Sequence, residues 1–404
     1  MSSASDPETA RRLYFPEPEN GQGQTLHLPA GAAEIKLNAD ARRVVPQLLE
    51  DYGYERAFIF SSRTLNQKTD VIDRLAAALG PRFVARSDRV GEHAPVKNVL
   101  AAIQEVEGSD ADVLVTVGGG SVMDFGKFVQ LGVTEGVRTH DDLRALRIDQ
   151  EPKLNQRPTL RQIAIPTTFS LSEWTAAGTP VDDETGKKII LRIPDGVGRA
   201  IVYDPSIVAH TPRHLALVTA VRGLDHAVNS VLSTRPNDLC IDLCLQAIRQ
   251  FAAGIPLLAR GDVETAIPLL QRASFLAGMC QLSVPHGFSH FMVHVFAPWA
   301  HVGHSETACV MMLAQARWLR GHDDPRIEQV TAAMGRPGDP LDVIVRDLLE
   351  VCDLPTTVRE LGVDPQRLDD VVPLALAHPY VTYHNLRPIR TAEDISTILA
   401  SVAG

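Results

Sequence analysis

The sequence predicts an α/β domain built on a parallel, doubly wound sheet, followed by an all-helical domain. Three observations carry this. Val113 to Lys127 reads V-L-V-T-V-G-G-G-S-V-M-D-F-G-K, an apolar β-branched run that ends in three glycines and opens into a helix. Short apolar runs alternate with helical patterns as far as about residue 205, the order expected of parallel strands joined by crossover helices. Beyond about residue 210 the strand signals stop and only helical periodicity continues. The expected organisation is an N-terminal tail or edge hairpin over 1–24, an α/β domain over 25–209 and a helical domain over 210–404.

In order, residues 1–24 are polar and proline-bearing, with a use in dimerisation expected. Leu26–Leu28 and Ala33–Leu37 read as short strands. Ala41–Tyr52 reads as a helix with Val44, Val45, Leu48 and Leu49 on one face. Ala57–Phe60 is a buried strand, Asp70–Leu79 a helix, Arg82–Ala85 a strand and Lys97–Val106 a helix leading into the glycine strand. Arg161–Pro166 is the next strand, Asp182–Lys188 a hairpin turn, and Ile201–Pro205 the last strand. Helices are then expected over Leu215–Leu232, Leu239–Ala253, Val263–Leu282, Ser305–Leu319, Arg326–Met334 and Leu341–Val351.

The glycine stretch carries the chemistry of this half. Gly118, Gly119 and Gly120 let the backbone turn sharply and approach a ligand with no Cβ in the way. Ser121 is expected to cap the following helix. Free amide hydrogens and the helix dipole then converge on one point, which suits an anion such as a pyrophosphate.

The chain has 404 residues, of which 45% are hydrophobic, and a net charge of −10. That length predicts two or three domains and a large core. With no basic cluster, nucleic acid and acidic membranes are not expected partners. M-S-S-A-S-D-P-E at the N-terminus lacks a basic region followed by an apolar core, and no apolar run reaches membrane-spanning length. The five cysteines (Cys240, Cys244, Cys280, Cys309 and Cys352) form no C-x-x-C pair. Together these predict a cytoplasmic protein in a reducing compartment.

The spacing G-G-G-S-x-x-D-x-x-K is neither the fingerprint G-x-G-x-x-G nor a P-loop. It resembles the iron-containing alcohol dehydrogenase family, with maleylacetate reductase and, more distantly, dehydroquinate synthase as relatives. V-G-E-H-A-P-V-K around His93 and Pro95 is similar to the H-T-P turn of maleylacetate reductases, and Pro166-Thr167-Thr168 and Asp204-Pro205 match further family turns. The resemblance covers nearly the whole chain except the tail. It implies a dehydroquinate synthase-like fold, an NAD(P)-dependent oxidoreductase with a small-molecule substrate, and a homodimer. For the cofactor it implies contacts from Gly119, Gly120, Ser121, Asp124, Thr167 and Thr168, with Lys188 near the ribose. An acidic residue normally holds the adenosine ribose at the end of the second strand. Here Ser61, Ser62 and Arg63 stand there, and Arg63 suits a 2′-phosphate, so NADP is expected ahead of NAD.

His286, His290, His294, His301 and His304 crowd into one short stretch. His290 and His294 are four apart and share a helix face. The resemblance implies metal-binding histidines at His290 and, fourteen residues on, His304, with His294 near the substrate. It places two more ligands on an earlier helix, an acidic residue and then a histidine. In A-V-R-G-L-D-H-A-V-N, His226 takes the histidine position and Arg222 the acidic one. A guanidinium cannot ligate a metal. The catalytic set read from this is Arg222, His226, His290, His294 and His304. Arg222 is expected to supply the charge of the missing metal to a carbonyl oxygen or carboxylate, and a histidine the proton. No iron or zinc is expected; the open alternative is a site of Asp225, His226, His290 and His304. The expected activity is hydride transfer between nicotinamide and a small aldehyde or keto acid. A dehydroquinate synthase-like lyase or cyclase and a non-catalytic family member are the alternatives.

Overall fold

The computed structural model describes residues 34–91, 94–378 and 380–404. The expected tail over 1–24, the strand at Leu26–Leu28 and the turn residue His93 lie outside the described residues. The chain divides after Thr211 into two compact units.

The first unit runs β1 (Glu34–Leu37), α1 (Ala41–Tyr52), β2 (Ala57–Ser61), α2 (Arg63–Lys68), α3 (Val71–Leu79), β3 (Phe83–Ser87), α4 (Val96–Gly108), β4 (Val113–Gly118), α5 (Gly120–Glu135), α6 (His140–Ala145) and β5 (Arg161–Pro166). Four two-residue strands follow, β6 (Ala177–Gly178), β7 (Val181–Asp182), β8 (Lys187–Lys188) and β9 (Leu191–Arg192), then β10 (Ala200–Tyr203) and α7 (Pro205–Val208). Among the described residues the main sheet has the order β1-β10-β5-β4-β2-β3, with every pair parallel. β4 lies near its centre and is buried along its whole length, which is why its sequence is a nearly unbroken apolar run.

On one face, Val45, Leu48 and Leu49 of α1 and Ile72 and Leu75 of α3 pack over Ile59, Val115, Val117, Ile163 and Val202. On the other, α5 comes very close. A Cβ at Gly126 would lie 2.5 Å from Thr116 Cγ2 and 2.6 Å from Gln162 Oε1, so only glycine lets this helix settle there. The chain order reverses between β2 and β4. Open α/β sheets bind ligands at the carboxyl ends of the strands beside such a reversal. Those ends are Ser61–Ser62 and Gly118–Gly119, joined by a bond from the Ser62 amide to the Val117 carbonyl (3.3 Å).

The second unit is helical in its described residues: α8 (Arg213–Val231), α9 (Asp238–Ala259), α10 (Val263–Gly278), α11 (Phe288–Ala300), α12 (His304–Trp318), α13 (Pro325–Ala333), α14 (Leu341–Val351), α15 (Leu368–Ala377) and α16 (Ala392–Ala400). α9 runs past the expected end at Ala253 and through Pro256. Just before that proline, Gly254 packs so closely on α10 that a Cβ there would lie 2.9 Å from Leu270 Cδ2. α8 is buried on every side from Ala216 to Val231. A helix enclosed all round must satisfy its polar side chains inside the protein. On α8 those side chains include Arg222, Asp225, His226, Asn229 and Ser230.

Candidate active site

In the first unit the candidate site is the turn from β4 into α5. The helix begins at Gly120 and its N-cap is Gly119, in extended geometry (φ −79°, ψ −173°). Ser121 is therefore inside the first turn and is not the cap that the sequence suggested. The Gly119 carbonyl accepts from the amides of Val122 (2.9 Å) and Met123 (3.2 Å), which fixes the helix start. First-turn amides otherwise lack intrahelical partners, leaving those of Gly120 and Ser121 to an anion.

The wall beside the turn is the loop after β5. A Cβ on Gly119 would lie 3.1 Å from Thr168 Cγ2, and one on Gly120 would lie 3.2 Å from Ser170 Oγ and 3.3 Å from Ser172 Cβ. Thr168 and Ser170 share a hydroxyl hydrogen bond of 3.3 Å. Thr167 is buried, and its carbonyl accepts from Thr211 Oγ1 (2.8 Å). Asp124 Oδ1 accepts from Ser172 Oγ (2.7 Å) and from Lys127 Nζ (2.8 Å), and Lys127 is wholly buried. This network, absent from the sequence reading, ties helix, lysine and loop into one rigid cradle. Ser62 caps α2 through the Leu65 amide (3.4 Å), and exposed Arg63 follows at the end of β2. Lys188 is exposed on β8. In that hairpin Arg144 pairs with Asp182 (2.8 Å), Glu184 (2.5 Å) and Asp141 (2.7 Å), so both carboxylates of the nearby group of His140, Asp182 and Glu184 already have a guanidinium as partner.

The same loop carries a carboxyl group set apart from water. Glu173 is 1% exposed and accepts from Tyr203 Oη (2.8 Å), which in turn accepts from Trp174 Nε1 (2.7 Å). Burial pushes its pKa up to about 7 from an ordinary 4.5. The folded chain thus keeps a proton that the unfolded chain has lost, so stability falls as pH rises from about 4.5 to 7 and is level above. Glu173→Gln keeps an acceptor for Tyr203 and removes that cost. It should be about 3 kcal/mol more stable than the parent above pH 7 and nearly equal to it at pH 5. Denaturant unfolding at both pH values checks this, and parallel curves would refute it.

In the second unit the histidines gather. Ring centroids are 4.8 Å apart for His226 and His290, 5.5 Å for His290 and His294, and 5.0 Å for His294 and His304. Arg222 is 3% exposed and bonds Asp225 Oδ2 (2.9 Å) and His290 Nδ1 (3.1 Å). All five expected catalytic residues are therefore brought together. His286, counted in the crowded histidine stretch but given no role there, joins them, with its ring 4.6 Å from His290 and 5.2 Å from His226. The regular spacing of His286, His290 and His294 was the available signal.

The start of α11 is held by three side-chain oxygens. Asn229 Oδ1 accepts from the Gly287 amide (2.9 Å), Asn385 Oδ1 from Phe288 (2.7 Å) and Gln315 Oε1 from Ser289 (2.8 Å). These bonds fix His286 and His290 at either side of the helix entry.

Two expectations about metal change here. Asp225 is wholly buried and faces Arg222, Asn229 Nδ2 (2.9 Å) and Ser289 Oγ (2.5 Å). It is committed to those groups rather than to the histidines. The close trio is His226, His286 and His290, with one ring nitrogen of each within 4.8 Å of the others, in place of the expected set with His304. By spacing, this trio could hold a metal ion, so the expected absence of metal meets a direct counter-observation. Burial first, and the Arg222 charge second, hold His226 and His290 well below the usual histidine range and His286 down to about 3. All three are neutral near pH 7.

A parallel sheet with a glycine turn suited to an anion, followed by a helical unit with a polar histidine centre, fits a nicotinamide-dependent oxidoreductase. The chain belongs to the iron-containing alcohol dehydrogenase family: residues 32–205 match "Iron-containing alcohol dehydrogenase" and residues 216–403 match "Fe-containing alcohol dehydrogenase family, C-terminal". It is 27% identical to maleylacetate reductase 1 of Rhodococcus opacus over 352 residues, 86% of this chain and 89% of that one. The solved maleylacetate reductase of Agrobacterium tumefaciens aligns with a TM-score of 0.77 at 21% identity, covering 94% of this chain and 98% of the other. Sulfoacetaldehyde reductase of Bifidobacterium kashiwanohense, solved with NAD+, aligns at 0.83 and 18% identity, covering 95% and 100%. The fold is the dehydroquinate synthase-like one that the sequence suggested.

Proposed function

We propose that the protein is an NAD(P)H-dependent reductase of a small aldehyde or keto acid, similar to maleylacetate reductase, and that it works without a bound metal. The observation that carries the second part is Arg222 at the heart of the histidine group, where the family pattern has a carboxylate. The residues do not fit that pattern: the carboxylate nearest, Asp225, is bonded to Arg222, and a guanidinium sits 3.1 Å from a would-be ligand. Two unit charges in contact interact by about 4 kcal/mol at an effective dielectric of 20, and a dication beside Arg222 would be opposed by more. Being buried and doubly bonded, Arg222 acts on a substrate through His290 rather than by touching a substrate carboxylate.

Gly119, Gly120, Ser121 and Thr168 would hold the cofactor pyrophosphate, with Asp124 and Lys127 keeping the cradle rigid. When bound, NAD(P)H supplies the hydride. His294 and His304, half-buried at the outer end of the histidine row, would pass the proton. Purified enzyme incubated with NAD(P)H and a panel of small aldehydes and keto acids should consume nicotinamide with matching alcohol. A rearranged product with no net loss of NAD(P)H would favour the lyase reading instead. The spacing of His226, His286 and His290 favours a second reading, a metal-assisted reductase. It is tested by elemental analysis and by activity after EDTA treatment, which should leave the rate unchanged if Arg222 replaces the metal.

NADPH is expected to be preferred. The support is the strand end at Ser61–Ser62, which carries no acid and is followed by exposed Arg63. One charge-assisted pair with a 2′-phosphate corresponds to roughly a tenfold preference in kcat/KM. Arg63→Ala should abolish it without changing the NADH rate; an unchanged preference would remove Arg63 from the site. The same reading includes a homodimer, which light scattering of the purified chain tests.

A further inference from the structure

We propose that Arg222 and His290 form a tautomer lock that presents a neutral imidazole N–H, on Nε2 of His290, to the substrate carbonyl oxygen. This rests on the carbonyl-reductase reading above. Arginine has only donors, so the His290 Nδ1 that it meets at 3.1 Å must accept. A neutral imidazole has one such acceptor nitrogen, and its single proton is then on Nε2. The lock cannot swing away, because Asp225 bonds the guanidinium (2.9 Å) and is itself bonded by Asn229 and Ser289. A ring nitrogen that accepts a hydrogen bond carries no proton, so His290 is neutral while Arg222 meets its Nδ1.

Ser230 Oγ gives its one hydrogen to the His226 carbonyl (2.9 Å), so it accepts from His286 Nε2 (3.2 Å) and leaves the His286 lone pair on Nδ1. His226 Nδ1 meets the Gln281 amide at 2.8 Å, and an amide can turn either end to it. With the His290 lone pair taken by Arg222, the trio offers a cation two nitrogens at most. In the reaction the carbonyl carbon gains the hydride and the π pair moves to oxygen. The Nε2–H stabilises that oxygen, strengthened by the charge behind it at Nδ1. The proton completing the alcohol comes from solvent by way of His294 or His304. His290 is then the catalytic donor and Arg222 a positioning residue.

The test is long-range proton–nitrogen NMR of the full chain labelled with 15N-histidine, with His290 assigned through His290→Gln. At pH 7 the expected pattern is a protonated Nε2 and a bare Nδ1. Arg222→Met should give mixed tautomers and a gain of zinc binding towards one equivalent after dialysis. Its kcat should fall by about 10²-fold, as for loss of an oxyanion donor, with the cofactor KM unchanged. A bare Nε2 in the parent protein, or a parent that retains one equivalent of zinc or iron, overturns the proposal even if the variant does not fold. A confirmed tautomer in a protein that reduces no carbonyl would leave the lock standing and remove the reductase reading.

Discussion

Gly119→Val is expected to lower NAD(P)H affinity by about 100-fold or more while the chain remains folded. Gly119 caps α5 and lies against Thr168, so the space above it is bounded by the first-turn amides and by the loop after β5. A valine puts branched methyl groups where a pyrophosphate oxygen must meet amide hydrogens. Those hydrogen bonds and the helix dipole are lost together, and a fold-change of 100 corresponds to only about 2.7 kcal/mol. The new Cβ would also sit 3.1 Å from Thr168 Cγ2, so the loop has to give by a few tenths of an ångström. Overpacking of that kind costs about 1–3 kcal/mol, which a native domain survives. The measurement is cofactor titration by nicotinamide fluorescence beside a thermal melt. Parent-like affinity in a folded variant would remove the pyrophosphate from this turn.

The parts of the fold that were legible were those written in local chemistry. β5 spans Arg161–Pro166 and α1 spans Ala41–Tyr52 as expected, because a β-branched run and a one-sided apolar stripe each have a single sensible reading. The stretch between β5 and β10 was not legible in detail. Its strands β6 to β9 are two residues each, too short for periodicity to register. α6 and α16 are likewise not among the expected helices, though Thr139 with Asp142 and Thr391 with Asp394 form capping boxes. The N-cap of α5 differs from the expected Ser121 for a physical reason: serine usually caps by its side chain, whereas here the Gly119 carbonyl takes the first helical bonds and the helix starts earlier.

In the histidine centre, residue types were legible and partners were not. Spacing put His290 and His294 on one face, and the family pattern put Arg222 beside them. What it could not supply was the bond from Arg222 to His290, made across 68 positions of sequence, or the arrival of His286 from outside α11. Both depend on how α8 and the start of α11 dock, which is set by Asn229, Gln315 and Asn385. Asp225 shows the same limit. From sequence it competed with Arg222 for a metal position, while in the structure the two are each other's partners.

That pairing yields the second large effect. Asp225→Ala is expected to destabilise the protein by about 3–5 kcal/mol, since it leaves a guanidinium buried without its counter-charge. Both side chains are nearly inaccessible, so water cannot take over the lost partner. Asn229 and Ser289 lose a bond to the same carboxylate, which adds to the cost. For a unit of this size the shift in melting temperature is on the order of 10 °C. Arg222→Met should cost less, because the remaining carboxylate keeps Ser289 and Asn229 and can take up a proton. In the double variant Arg222→Met/Asp225→Ala no charge is stranded, and much of the stability should return. Replacing a buried ion pair by apolar groups is often close to neutral, whereas breaking one is not. A double-mutant cycle by denaturant unfolding should therefore give a coupling of more than about 1 kcal/mol. Additive losses would mean that Arg222 and Asp225 are not the pair that holds the centre of α8 together.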